Sequence, residues 1–223
     1  MHPISRLGLL VCALGLAGIG SSCNLNPVHR AGVTNLGPER DDLYPVDSEF
    51  HRPGEPCALC HSKDGPADSE FVLAGTIFWW DDPSEKETRE NRSYLDRVDQ
   101  AYVRIKDARL AEKCFVTNCN GNFFVRSEDW RDLTFPLLVS VERTRQPGTD
   151  DANSIAFRRM TGHIGREASC AVCHIQGIRD FASPDHIRLL DTEQQFRDLN
   201  IDLPACPLGP DAPPPVTVCP EDR

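Results

Sequence analysis

Glu70-Phe71-Val72-Leu73-Ala74-Gly75-Thr76-Ile77-Phe78-Trp79-Trp80 is apolar on both faces and rich in β-branched and aromatic residues. Such a run, bounded by polar segments, reads as a buried strand, with Gly75 predicted to break it. Working downstream, residues 81–99 are polar and charged and read as a long loop. Ala101 to Ile105 alternates apolar and polar residues, and Lys106-Asp107-Ala108 follows as a turn. Lys113 to Thr117 gives another short strand. Asn118-Cys119-Asn120-Gly121-Asn122 is a strong turn signal ahead of the strand Phe123 to Arg126. Leu137 to Val141 is a further strand, with Leu137, Val139 and Val141 on one face. Short strands separated by regular turns predict a mainly β chain: a small β-sandwich flanked by loop-rich and short-helical segments.

Those flanking segments carry the chemistry. Cys57-Ala58-Leu59-Cys60-His61 lies before the strand run, and Cys170-Ala171-Val172-Cys173-His174 lies after it. Two thiols three residues apart on one helical turn reach the two vinyl groups of a porphyrin edge. The histidine that follows directly then presents its imidazole to the iron from the same side. Two covalently bound haem c groups are therefore expected, held by Cys57, Cys60, Cys170 and Cys173, with His61 and His174 on the metal. A zinc ribbon would place its CxxC pairs much closer together and gives no reason for a histidine after each. A thioredoxin-type dithiol would need a βαβ context, which is absent. For the opposite side of each iron, a count constrains the choice. Apart from Met1 the chain has a single methionine, Met160, so at most one haem has His/Met ligation. Met160 and His163 lie just upstream of the second motif, and His51 lies just upstream of the first. All three are candidate ligands. His186 is spare, and His29 reads as a surface residue.

The remaining sequence bounds compartment and partners. Arg6 followed by the apolar stretch Leu7 to Ile19 reads as an export signal over residues 1–22. Gly20-Ser21-Ser22-Cys23 resembles a bacterial lipobox, with Cys23 as a lipid anchor and ordinary signal cleavage as the alternative. Residues 23–52 read as a flexible leader, 53–68 as the first haem-binding segment and 69–145 as the β-sandwich. Residues 146–200 form the second haem-binding segment, and 201–223 a proline-rich tail. Within 146–200, a short helix is predicted around Ser154 to Met160, and a second helical pattern over Asp191 to Leu199, with Ser183-Pro184 supplying a cap. Of ten cysteines, Cys114, Cys119, Cys206 and Cys219 are left for disulfides. Nearest-neighbour pairing is the simplest expectation, although Cys114 and Cys119 need a turn between them, since five residues at roughly 3.3 Å each exceed disulfide reach in one straight strand. The net charge of −10 argues against nucleic acid as a partner and favours a redox protein with a basic patch.

Taken in order, Cys57–His61, Leu73-Ala74-Gly75-Thr76-Ile77-Phe78, Val103 to Ala108, Thr117 to Phe123 and Cys170–His174 form a pattern over residues 55–178. It resembles exported c-type cytochrome-domain proteins of the myxobacterial type. In these a carboxypeptidase-regulatory-like or transthyretin-like β-sandwich lies between haem motifs. The resemblance implies electron transfer at the cell envelope, in the periplasm or at the outer membrane. Two other functions are compatible with the same residues. One is a haem enzyme, a peroxidase or small-oxide reductase with one open iron site; the other is a surface binding module with structural haems. No distal acid–base set stands beside either motif, so a carrier is expected rather than a catalyst.

Overall fold

In a computed structural model, the architecture is described for residues 27–38, 48–80, 97–144, 154–174, 184–200 and Cys219. The export signal 1–22, Cys23, most of the 81–99 loop, Ser183, Cys206 and the rest of the proline-rich tail lie outside these residues.

The chain is mainly β, and its strands form two sheets. The first has the order β4-β1-β7, with β1 at Phe71–Phe78, β4 at Asn122–Arg126 and β7 at Ile187–Arg188. The second has the order β3-β2-β5-β6, with β2 at Tyr102–Lys106, β3 at Glu112–Val116, β5 at Leu138–Thr144 and β6 at Ser154–Arg159. The second sheet is antiparallel throughout; β1 pairs antiparallel with β4 and parallel with β7. Leu73, Ile77, Phe123 and Val125 of one sheet pack with Val103, Ile105, Phe115 and Val141 of the other in a single core. Period-two alternation drives this arrangement, since each strand offers one apolar face and the two faces bury each other.

Strand β1 is the exception to alternation, because it is buried on both faces. It runs unbroken through Gly75, contrary to the break expected there; Gly75 pairs with Phe123. Its missing side chain serves close approach instead: a Cβ would stand 2.8 Å from Cys170 Cβ and 2.9 Å from its sulfur. Gly75 is therefore the place where the second CxxCH turn rests on the strand. A bulge between Phe71 and Leu73 shifts the register against β4. The extra residue turns Phe71 to the outer face, where its ring stacks on Phe124 at 4.9 Å.

Other expectations are corrected by packing. Pro27–Leu36 forms helix α1 inside the segment read as an irregular leader. Gly32 lies against Leu59, where a Cβ would meet the leucine at 3.1 Å, so tertiary contact with the first motif outweighs the poor helix propensity of glycine. Ser154 to Arg159 is strand β6 rather than a helix, because the open edge of β5 offers six residues a hydrogen-bonded partner that a short isolated helix lacks. Helix α2 spans Glu193–Leu199 and is capped by Thr192 in a capping box with Gln195, not by Ser183-Pro184. Residues 184–190 are taken instead by β7 and its flanks, where Leu189 and Leu190 donate to the carbonyls of Phe78 and Trp79. Nearest-neighbour disulfide pairing also fails. Cys114 bonds Cys219, with Cα atoms 5.0 Å apart, which ties the tail to β3. Cys119 is disulfide-bonded as well.

Candidate functional site

Both CxxCH segments fold into the same local object. Cys57–Leu59 and Cys170–Val172 are single 3₁₀ turns, and the closing residues Cys60 and Cys173 have φ, ψ of −102°, −38° and −100°, −35°. In each turn the N–H groups of the second cysteine and the histidine donate to the first cysteine's carbonyl, at 3.1 and 2.9 Å in one and 3.2 and 2.9 Å in the other. This winding places the two thiols and the imidazole on one side of a tight turn. Each histidine is also oriented through Nδ1. His61 Nδ1 lies 3.0 Å from the Ser69 carbonyl and 2.9 Å from Ser69 Oγ; His174 Nδ1 lies 2.8 Å from the Asp185 carbonyl. A proton held on Nδ1 by a carbonyl makes Nε2 the lone-pair nitrogen, the form in which histidine binds a metal. Asp185 reaches this position in a left-handed conformation, φ 57°.

The first motif opens into a cleft of about 180 Å³ lined by Cys57, Cys60, His61, His51, Phe71 and Phe124, among others. Phe71 lies flat against the His61 ring with centroids 3.9 Å apart, so the bulge in β1 supports the imidazole. His51 lies nearly parallel to His61, 5.8 Å between centroids, and among the described residues its buried Nδ1 has no hydrogen-bond partner. Its backbone is held by the turn after β3. Asn118 Nδ2 donates to the Glu49 carbonyl at 2.7 Å, Asn120 Nδ2 to Phe50 at 2.8 Å and Asn122 Nδ2 to His51 at 3.0 Å. Gly121 makes this turn possible, with φ 70° and the Ile77 carbonyl only 2.4 Å from where a Cβ would sit. Asn122 continues the network, its Oδ1 accepting from Thr76 Oγ1, which in turn accepts from Gly54 N. The three asparagines read in sequence only as turn residues. Their alternate spacing around a glycine was the available signal, but its target lies some 70 residues away.

The second motif opens into a larger cleft of about 390 Å³ between the two sheets, with Ile77 and Phe123 on one wall and Val139 and Val141 on the other. Met160, His163, His174 and His186 all line it. Met160 is half-buried and His163 is exposed, while His186 is buried, its ring 4.5 Å from that of Phe78. His186 was left unassigned by its sequence, and β7 brings it to the cleft. Arg158, Arg159 and Arg188 stand at the same cleft, and Arg158 pairs with Asp191 at 2.6 Å. His29, on α1, is partly buried rather than a plain surface residue.

Burial pushes the Cys57 thiol up to about 12, with the neighbouring Cys60 and Glu55 adding to it against a backbone hydrogen bond. Burial likewise pushes Cys170 up to about 12, with Cys57 the next contributor. These are neutral thiols, unlike the acidic thiolates of disulfide oxidoreductases. Burial lowers the His174 pKa against the opposing effect of the Asp185 carbonyl, which keeps the imidazole neutral at neutral pH. Among the described residues no three His, Cys, Asp or Glu side chains converge on one point. The chain matches no protein family, no curated protein and no solved structure.

Proposed function

We propose that this chain is a dihaem c-type cytochrome that carries electrons at the bacterial cell envelope. The observation that carries the proposal is the repeated construction of the two motifs. Two turns of the same winding each present two thiols and a histidine already oriented through Nδ1 onto a carbonyl. The surroundings suit the group as well. His51 stands beside His61 with ring centroids 5.8 Å apart, and among the described residues its buried Nδ1 has no protein partner. Bound haem supplies one-electron chemistry at its iron.

The chain's own residues do the holding and tuning. Cys57, Cys60, Cys170 and Cys173 would form the thioethers, and His61 and His174 would bind the iron. His51 would serve as the partner ligand at the first site, and the second would draw on Met160, His163 or His186. The apolar walls given by Phe71, Phe124, Val139 and Val141 exclude water, which favours the less charged reduced form. The reading of residues 1–22 as an export signal and of Cys23 as a lipid anchor supports a location at the envelope, and the acidic balance suits a redox partner with a basic patch.

Protein produced with a c-type maturation system should keep haem through denaturing electrophoresis, at two per chain. Purification of a zinc protein without Soret absorbance would overturn the proposal. Carbon monoxide binding to the reduced protein at one iron would favour the haem-enzyme reading.

A further inference from the structure

The two clefts are neighbours, and the contacts between their motifs are direct. Ala58 N, inside the first CxxC turn, donates to Ser169 Oγ at 2.6 Å, and Ser169 immediately precedes the second turn. Strand β1 holds both. Phe71 N donates to the His61 carbonyl and Ala74 N to the Ala168 carbonyl, at 2.7 and 2.8 Å. The anchors are three residues apart along β1, a backbone separation of roughly 10 Å. Phe123 lines both clefts, and it pairs with Gly75, on which Cys170 rests. Ser169 is buried, 1% exposed; its Oγ is engaged by Ala58 N, and its own N–H donates to Glu167 Oε1 at 2.9 Å, which anchors its backbone.

We infer that the chain holds its two haems as one electrostatically coupled pair, with Ser169, Gly75 and Phe123 as the positioning residues that set their spacing. This rests on the dihaem reading above. A coupled pair behaves differently from two carriers on one scaffold, because an electron on one iron disfavours reduction of the other. Were the irons held at about the spacing of these backbone anchors, two unit charges in an effective dielectric of about 20 would change the second reduction equilibrium roughly tenfold. For a one-electron couple that is about 59 mV. Such a pair takes up its two electrons over a broadened range of potential and exchanges them internally.

The test compares three titrations of the haem-loaded, full chain. Optical redox titration of the wild type is set against the sum of two single-haem variants, Cys57→Ala with Cys60→Ala, and Cys170→Ala with Cys173→Ala. The wild type should depart from that sum by about the tenfold splitting. Low-temperature electron paramagnetic resonance of the oxidised wild type, which needs no variant, should show magnetic interaction between the irons. Ser169→Ala keeps the side-chain volume close and both motifs intact, and should reduce the departure while leaving two haems per chain. Two bound haems with additive titrations and non-interacting spectra would overturn the coupling and leave the dihaem reading standing. Unchanged splitting in Ser169→Ala would remove Ser169 from the positioning set. Absence of covalent haem in every form would instead defeat the dihaem reading itself.

Discussion

Gly75→Ala places one methyl group where β1 meets the second haem motif. Nothing in the backbone forbids it, since Gly75 is an ordinary strand residue without positive φ. Space forbids it. The new Cβ would lie 2.8 Å from Cys170 Cβ, 2.9 Å from its sulfur and 3.1 Å from the Phe123 ring. Ordinary carbon contacts are about 3.5–4.0 Å, so the motif has to retreat by roughly 1 Å. Overpacking of this kind costs about 1–3 kcal/mol, and the loss of glycine's freedom in the unfolded chain returns about 0.4–1 kcal/mol. A net destabilisation of about 1–2 kcal/mol is expected. Its local consequence is larger, because the displaced Cys170 is itself one of the proposed haem attachment points. Urea unfolding should show a lowered midpoint, and intact-chain mass spectrometry should show species with one haem, attached at Cys57 and Cys60. A midpoint equal to or above the wild type, with both motifs filled and an unchanged spectrum, would refute the close-approach argument.

The disulfide between Cys114 and Cys219 closes a loop of 105 residues. Replacing both by serine should lower stability by about 4–5 kcal/mol on the chain-entropy account, read as a fall in urea midpoint; an unchanged midpoint would show that the tail adds nothing to the fold. Burial raises the Asp107 pKa, but the N–H groups of Ala111, Arg109 and Thr134, with the Arg109 guanidinium, outweigh it and hold the carboxyl below its usual value. Its contribution is therefore complete above the unfolded carboxylate range and fades as pH falls. Wild-type stability should drop below about pH 4 more steeply than that of Asp107→Asn, and parallel pH profiles would exclude this role. If the proposed haems are bound, His51→Ala should convert the first to high spin. A weak far-red band of iron–methionine bonding should vanish in Met160→Ala. If that band is absent in the wild type, the change to high spin at the second haem should instead follow His163→Ala or His186→Ala.

What the sequence determined about this protein is local. CxxCH dictates a turn that gathers two thiols and an imidazole, because three residues are one turn, and both copies fold alike. Alternation around Val103 and Val139 and the Asn-Gly turn likewise state strands and a reversal within a few residues, and a mainly β fold follows. What only the tertiary structure decided depends on partners distant in the chain. Ser154 to Arg159 became a strand because β5 had an open edge, and Pro27 to Leu36 became a helix because Leu59 gave it something to pack on. Cys114 reached across 105 residues to Cys219 rather than to its neighbour. The gathering of His51 under three asparagines, and of His186 beside His174, is of the same kind. So is the contact of Ala58 with Ser169, which sets the two motifs side by side. Periodicity records which face of an element is apolar, but not which other element will cover it. That choice is made by the summed burial and hydrogen bonding of the whole chain, and the relation between the two sites is part of it.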